Sequence, residues 1–354
     1  MKRGAGDGDG LRVVAVGGGT GMPVLISALL EIVPRIDVVV TVADDGGSSG
    51  RLRQQLHVPP PGDSRNCLVA MGNGSMMGRL FQYRFPGGEG LQSHALGNLI
   101  ITALIEMTGD FSQALKAAGD LLGARGRVFP PSMEPLTLFA DVAPWPGSKL
   151  ENAAQSPGCK ADEARGEENA ADGALGRASS RVTGQCNVAN RLRPLVNIGI
   201  EPANAPADAG AVAALDAADV IVMGPGSLFT SVLANILVKD IGRAIRASAA
   251  RKIFFCNITV QPGETDGFTA ADHVAALLRF GGAGICDLVV TSNTVLPRDR
   301  LAELAEAGSS PIVVDDRELT KLGAEHAVAD LTDEDYPTHH NSNKLARFLR
   351  EALT

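Results

Sequence analysis

Short, nearly uninterrupted aliphatic runs recur at residues 11–16, 36–42, 220–223, 253–257, 288–291 and 312–314. Most lack the alternation of a half-exposed strand, as expected for parallel strands covered on both faces. Helical patterns follow several of them, at 23–32, 229–237, 270–280 and 298–307. That rhythm predicts an α/β fold: a three-layer α/β/α sandwich around a doubly wound, mainly parallel, Rossmann-like sheet. The middle of the chain breaks the rhythm. Helical periodicity at 96–106 and 111–122 leads into strand-like segments at 136–140, 181–188 and 195–200, which predict a small peripheral β/helical subregion with antiparallel character. Between them, residues 144–180 are rich in Ala, Gly, Ser and Glu and poor in large apolar side chains. Such a stretch cannot offset the entropy of ordering, so it reads as a disordered insertion. Residues 1–10 read as a flexible tail, and 11–354 as a single α/β domain.

Composition narrows the setting. With 354 residues, 45% of them hydrophobic, the chain can bury a large core. A net charge of -8 is the wrong sign for a broad nucleic-acid footprint, so no nucleic acid is expected and any phosphate must be met locally. The five cysteines are odd in number, scattered, and form no Cys-x-x-Cys pair, which suits small apolar residues in a reducing cytoplasm. No apolar run approaches the ~18 residues of a membrane span, and the N-terminus lacks an apolar leader. A cytoplasmic protein without membrane insertion is the expectation.

Candidate chemistry falls at the carboxyl ends of the proposed strands, where open α/β sheets bind ligands. After the first come Gly17, Gly18, Gly19, Thr20 and Gly21. Glycines let backbone amides approach a phosphate, and the helix that follows offers its positive end. The spacing is not the dinucleotide fingerprint, because its third glycine would fall on Met22, and no Gly-Lys-Ser/Thr makes it a P-loop. The second strand ends in Asp44-Asp45-Gly-Gly-Ser48-Ser49-Gly-Arg51. Adjacent carboxylates there suit a divalent cation such as Mg²⁺, completed by substrate phosphate, or a general base. Asp63, Arg65 and Asn66 follow a proline-stiffened turn, and His94 and Asn98 open a further helix. Arg65 offers a planar donor fork for phosphate, while His94 is a ligand donor or a proton carrier. In the second half, Gly224, Gly226, Ser227 and Thr230 form a glycine turn with hydroxyls that resembles an anion cup, and Gln261 and Glu264 bring polar groups to a neighbouring loop. No tightly bound organic cofactor is expected.

The stretches GGGTG, TVADDGGSSGRLR, PPGDSRNCL, SHALGNL, GPGSLFTSVLANILV and QPGETDGFTAADHV together resemble the bacterial gluconeogenesis factor family. This is a branch of the superfamily that contains 2-phospho-L-lactate transferase. The resemblance runs in order from about residue 13 onward, interrupted by 144–180. It implies a cytoplasmic regulator that binds UDP-N-acetylglucosamine and links gluconeogenic carbon use to peptidoglycan precursor supply and cell shape. Protein partners in cell-wall synthesis are implied with it. The related transferase joins a phospholactyl nucleotide to a deazaflavin with a divalent metal, and its paired aspartates look to be matched by Asp44 and Asp45. Two positions depart from the family pattern. The family's Arg-His-Asp near the C-terminus reads His339-His340-Asn341 here, which removes a permanent guanidinium charge. Its Met-Thr-Gln reads Thr259-Val260-Gln261. A Mg-dependent transferase acting on a nucleotide diphosphate conjugate is the alternative, and an NAD(P)-binding Rossmann protein the third reading. A homodimer is the expectation for this architecture.

Overall fold

The computed structural model describes residues 10–72, 74–142, 180–190, 195–336 and 338–353. The proposed tail, apart from Gly10, and the proposed insertion, apart from Ser180, lie outside the described residues. The first half runs β1 (Val13–Gly17), α1 (Gly21–Leu29), β2 (Ile36–Val40), α2 (Gly47–Leu56), α3 (Gly62–Met71), α4 (Met76–Gln82), α5 (Leu96–Thr108), α6 (Phe111–Leu122) and β3 (Gly126–Phe129). It continues through β4 (Thr137–Val142), β5 (Ser180–Thr183), α7 (Gln185–Ala189) and β6 (Leu195–Glu201), and then β7 (Val220–Met223), β8 (Arg251–Phe255), β9 (Leu288–Ser292) and β10 (Glu325–Ala329), with helices between them.

Seven strands form one sheet in the order β10-β9-β8-β7-β1-β2-β3, and every pairing in it is parallel. Every residue of β1 and β7 is buried, as a strand covered by helices on both faces must be. The chain leaves β1 toward β2 on one side and leaves β7 toward β8 on the other. The gap between β1 and β7 is therefore the topological switch point, where loops depart in opposite directions and open a crevice. The second sheet, β5-β4-β6, is antiparallel, as the broken rhythm of the middle predicts. One contiguous apolar cluster takes in residues of both sheets.

Three local expectations are corrected. Residues 312–314 are not a strand: Ile312 donates to the carbonyl of Ile258 and Val313 accepts from Ala270, so the segment crosses the end of β8 as an extended strap. The seventh strand is β10 instead, whose partly exposed, polar-interrupted EHAVA carries little apolar signal. The segment 181–188 divides at Gly184 (φ +95°) into β5 and the short helix α7. The helix expected at 229–237 begins as a π-helix, Leu228–Leu233, before turning α-helical at Ala234–Ile236. Sequence periodicity also missed β3, a four-residue edge strand with a single buried position.

Candidate functional site

The turns after β1 and β7 touch across the switch point. A Cβ on Gly21 would lie 2.4 Å from the carbonyl oxygen of Pro225, so only glycine allows this approach. Gly19 holds a left-handed φ of +66°, and its amide donates to Asp63 Oδ2 at 2.9 Å. Gly18 is equally confined, since a Cβ there would meet Asp63 Oδ2 and the Thr41 methyl. Thr20 is exposed and gives the N-terminus of α1 no side-chain cap, so the first amides of α1 face the crevice uncapped.

At the end of β2 the adjacent aspartates diverge. Asp44 accepts from the amide of Gly46 at 3.0 Å and from the hydroxyl of Ser49. Asp45 turns to α7 and accepts from the amide of Cys186 at 2.9 Å. The carboxylate that joins Asp44 around the crevice floor is Asp63. Gly62 sits between them, where a Cβ would lie 2.4 Å from Ser49 Oγ and 3.4 Å from Asp44 Oδ2. Burial raises the pKa of Asp44, with repulsion from Asp45 adding to it. Asp63 is pushed up from its ordinary 3.8 to about 6, chiefly by burial, against the Gly19 amide and with repulsion from Asp44. Of the α2 arginines, Arg51 reaches away to the carbonyl of Gln92 at 2.6 Å. Arg53, on Thr137 Oγ1 at 2.9 Å, lies in the field of both Asp44 and Asp45.

Behind this floor runs a buried polar chain. Arg65, 2% exposed, donates to Asn98 Oδ1 and Asn66 Oδ1, each at 2.7 Å, while its Nε has no protein partner. Burial lowers its pKa to about 10, and Arg84 adds to the shift. Asn98 Nδ2 donates to Ser48 Oγ at 3.0 Å, and Ser48 Oγ lies 3.0 Å from His94 Nδ1. Burial and the charge of Arg51 hold the His94 imidazole below its ordinary pKa.

The β7 side is satisfied from within the protein. Glu264 Oε1 accepts from the amides of Phe229 at 2.8 Å and Thr230 at 3.1 Å, and the Thr230 hydroxyl lies on the same carboxylate. The anion cup therefore holds the protein's own carboxylate. Gln261 Nε2 donates to Ser227 Oγ at 2.9 Å, and the Gly226 amide donates to Asn257 Oδ1 at 3.3 Å. Gly224 and Gly226 take positive φ, and a Cβ on Gly224 would lie 2.9 Å from the Phe255 carbonyl. Helix α7 closes this side against the β2 side: its Cys186 amide holds Asp45, and Gln185 Nε2 donates to the Thr230 carbonyl at 2.9 Å.

All the site residues named from sequence thus lie around one crevice or in the layer behind it. Arg51, Thr230 and Glu264 are engaged in protein contacts rather than presented to the opening. Sequence reasoning missed Arg53, Gly62 and the α7 residues Gln185 and Cys186. Arg53 was within reach, since it lies one helical turn after Ser49 on α2. The α7 roof comes from a distant segment and left no local signal.

Among the described residues no group of three or more His, Cys, Asp or Glu gathers to hold a metal alone. Asp44 and Asp63 still fit a divalent cation that shares its shell with ligand phosphates, because hard carboxylate oxygens whose charged form burial disfavours gain from a positive charge. At the C-terminal departure, His339 is exposed and its amide donates to the Tyr336 carbonyl. His340 lines a cavity of about 280 Å³ with Pro23, Val24, Ser27 and Asp333, and burial lowers its pKa to about 4.

Comparison with known proteins follows the same outline. The family model described as "2-phospho-L-lactate transferase CofD" matches residues 13–332. A "Gluconeogenesis factor" from Halalkalibacterium halodurans is 36% identical over 96% of this chain and 95% of its own length. One from Bacillus subtilis is 33% identical over 97% of this chain and 98% of its own. A crystal structure of a UPF0052 family member from Bacillus halodurans superposes with a TM-score of 0.83 at 34% identity, covering 97% of this chain and all of that one.

Proposed function

This chain belongs to the gluconeogenesis factor branch of the 2-phospho-L-lactate transferase CofD family, and on that premise we propose that its crevice binds a nucleotide diphosphate conjugate, UDP-N-acetylglucosamine, together with Mg²⁺. The supporting observation is the division of the crevice. The amides of Gly19, Gly46, Phe229 and Thr230 already serve Asp63, Asp44 and Glu264. A bare diphosphate would meet carboxylates there and be repelled. A divalent cation on Asp44 and Asp63 would supply the charge that brings the phosphates in, with the uncapped start of α1 receiving the outer oxygens. Binding without turnover would make the protein a cytoplasmic sensor of cell-wall precursor supply, signalling as a homodimer to partners in cell-wall synthesis and to gluconeogenic carbon use.

The transferase is the second reading, with Asp44 and Asp63 at the crevice floor as the carboxylates that would hold its metal, Asp63 fixed by the Gly19 amide and Asp44 by that of Gly46. Calorimetry against UDP-N-acetylglucosamine, NAD⁺ and GTP, with and without Mg²⁺, tests the ligand. Measurable affinity for the nucleotide sugar is expected, and binding of none of the three defeats the reading. The Asp44→Asn, Asp45→Asn double variant separates the roles: metal-dependent turnover should vanish while sugar-nucleotide binding is only reduced. Unchanged turnover in that variant would sink the transferase alternative.

A further inference from the structure

The buried chain Arg65, Asn98, Ser48, His94 has a forced direction of hydrogen bonding. A guanidinium only donates, so the atom of Asn98 that faces Arg65 Nη1 at 2.7 Å must be its oxygen. The amide's other end is then NH₂, and it donates to Ser48 Oγ at 3.0 Å. Ser48 is buried, and His94 Nδ1 at 3.0 Å is the remaining partner of its hydroxyl. If Ser48 accepted from the imidazole as well, its own proton would be buried without an acceptor, a cost on the order of 1–3 kcal/mol. The hydroxyl therefore donates to Nδ1. His94 Nδ1 carries no proton, and the proton of the neutral ring sits on Nε2. That nitrogen has no protein partner among the described residues and is not one of the fully enclosed orphan atoms, so the ring's small accessible edge is its outlet.

We propose that Arg65 acts through Asn98 and Ser48 as a positioning relay that locks His94 in the Nε2–H form, presenting a fixed neutral donor to an acceptor oxygen of the ligand. This rests on the reading of the crevice as a ligand site and assigns His94 a part in it: it recognises a phosphate or carbonyl oxygen and takes no proton. Two other histidines have the opposite arrangement. His273 donates through Nδ1 to the Thr269 carbonyl, and His340 to the Cys256 carbonyl with Nε2 left unpartnered. They provide internal controls in one spectrum.

The test is ¹⁵N-histidine NMR of the full chain near neutral pH, with His94 identified by its loss in His94→Gln. His94 should show an unprotonated Nδ1 and a protonated Nε2, while His273 and His340 show the reverse. Asn98→Asp places a carboxylate that accepts from both Arg65 and Ser48. Ser48 then turns its proton away, and His94 should switch to the Nδ1–H form. The two control signals report whether that variant is folded. Should it fail to fold, Ser48→Ala should instead release His94 into a mixture of tautomers. Adding UDP-N-acetylglucosamine with Mg²⁺ should shift the Nε2 resonance of His94, and Asn98→Asp should weaken binding about tenfold. A wild-type His94 that is protonated, or protonated on Nδ1 alone, overturns the relay. An unmoved Nε2 despite calorimetric binding overturns the contact. Absence of calorimetric binding counts against the nucleotide-sugar reading alone, since the spectrum without ligand decides the tautomer.

Discussion

The two sides of the switch point start from similar sequence, glycine turns with hydroxyls at the end of a buried strand, and finish in opposite electrostatic states. On the β7 side, the carboxylate of Glu264 fills the start of the π-helix and accepts from the amides of Phe229 and Thr230. On the β1 and β2 side, α1 begins without a side-chain cap, and burial still raises the pKa values of Asp44 and Asp63 despite the amides of Gly46 and Gly19 that they accept from. Glycine and hydroxyl composition alone therefore does not mark an anion site. What matters is whether the protein has already supplied the anion. The first side is built for rigidity, and the second retains unbalanced charge for a ligand to use.

Removing the built-in anion should do the greatest damage. Glu264→Ala leaves the buried amides of Phe229 and Thr230 without an acceptor, so urea unfolding should show a loss of about 3–5 kcal/mol. A loss below about 1 kcal/mol would mean that the contrast between the sides is wrong. Next comes the pH response of the other side. Because the folded pKa of Asp63 lies above its ordinary value, its contribution to stability is fully present below 3.8 and is lost as pH rises through about 6. The full swing is about 2–3 kcal/mol. Asp63→Asn should abolish that decline, leaving the variant more stable than the parent at about pH 8 in denaturant titrations. A decline that persists unchanged would assign it to another group.

Smaller effects sharpen the picture. Arg53→Gln should cost about 1 kcal/mol, because it removes the cation facing both aspartates, whereas Arg51→Gln should cost under about 0.5 kcal/mol. Equal effects in thermal unfolding would erase the distinction between the two arginines. Thr20→Ala should leave stability within about 0.5 kcal/mol, since Thr20 makes no cap bond, while ligand affinity falls a few-fold by calorimetry.

The contrast also shows what a linear sequence can carry. The parallel sheet was legible because burial on both faces leaves aliphatic runs, as in β1, β2, β7 and β9, and the crevice followed from where those runs end. β10 was not legible, because its edge position lets polar residues in and weakens the pattern. Asp44 and Asp45 were legible as a pair of carboxylates but not as partners in space. Their side chains part by alternation along an extended backbone, and Asp63 arrives from another segment. The partner of Thr230 was hidden for the same reason: Glu264 and Thr230 meet only through the fold.

The central claim is that phosphates enter this crevice with a cation on Asp44 and Asp63. Its most direct test is calorimetric titration of UDP-N-acetylglucosamine into the protein with Mg²⁺ and with a chelator, repeated with Asp44→Asn. Affinity in the parent should fall at least about tenfold on chelation, equivalent to about 1.4 kcal/mol. In Asp44→Asn it should be low and insensitive to Mg²⁺. Equal affinity with and without Mg²⁺ in the parent would contradict the account.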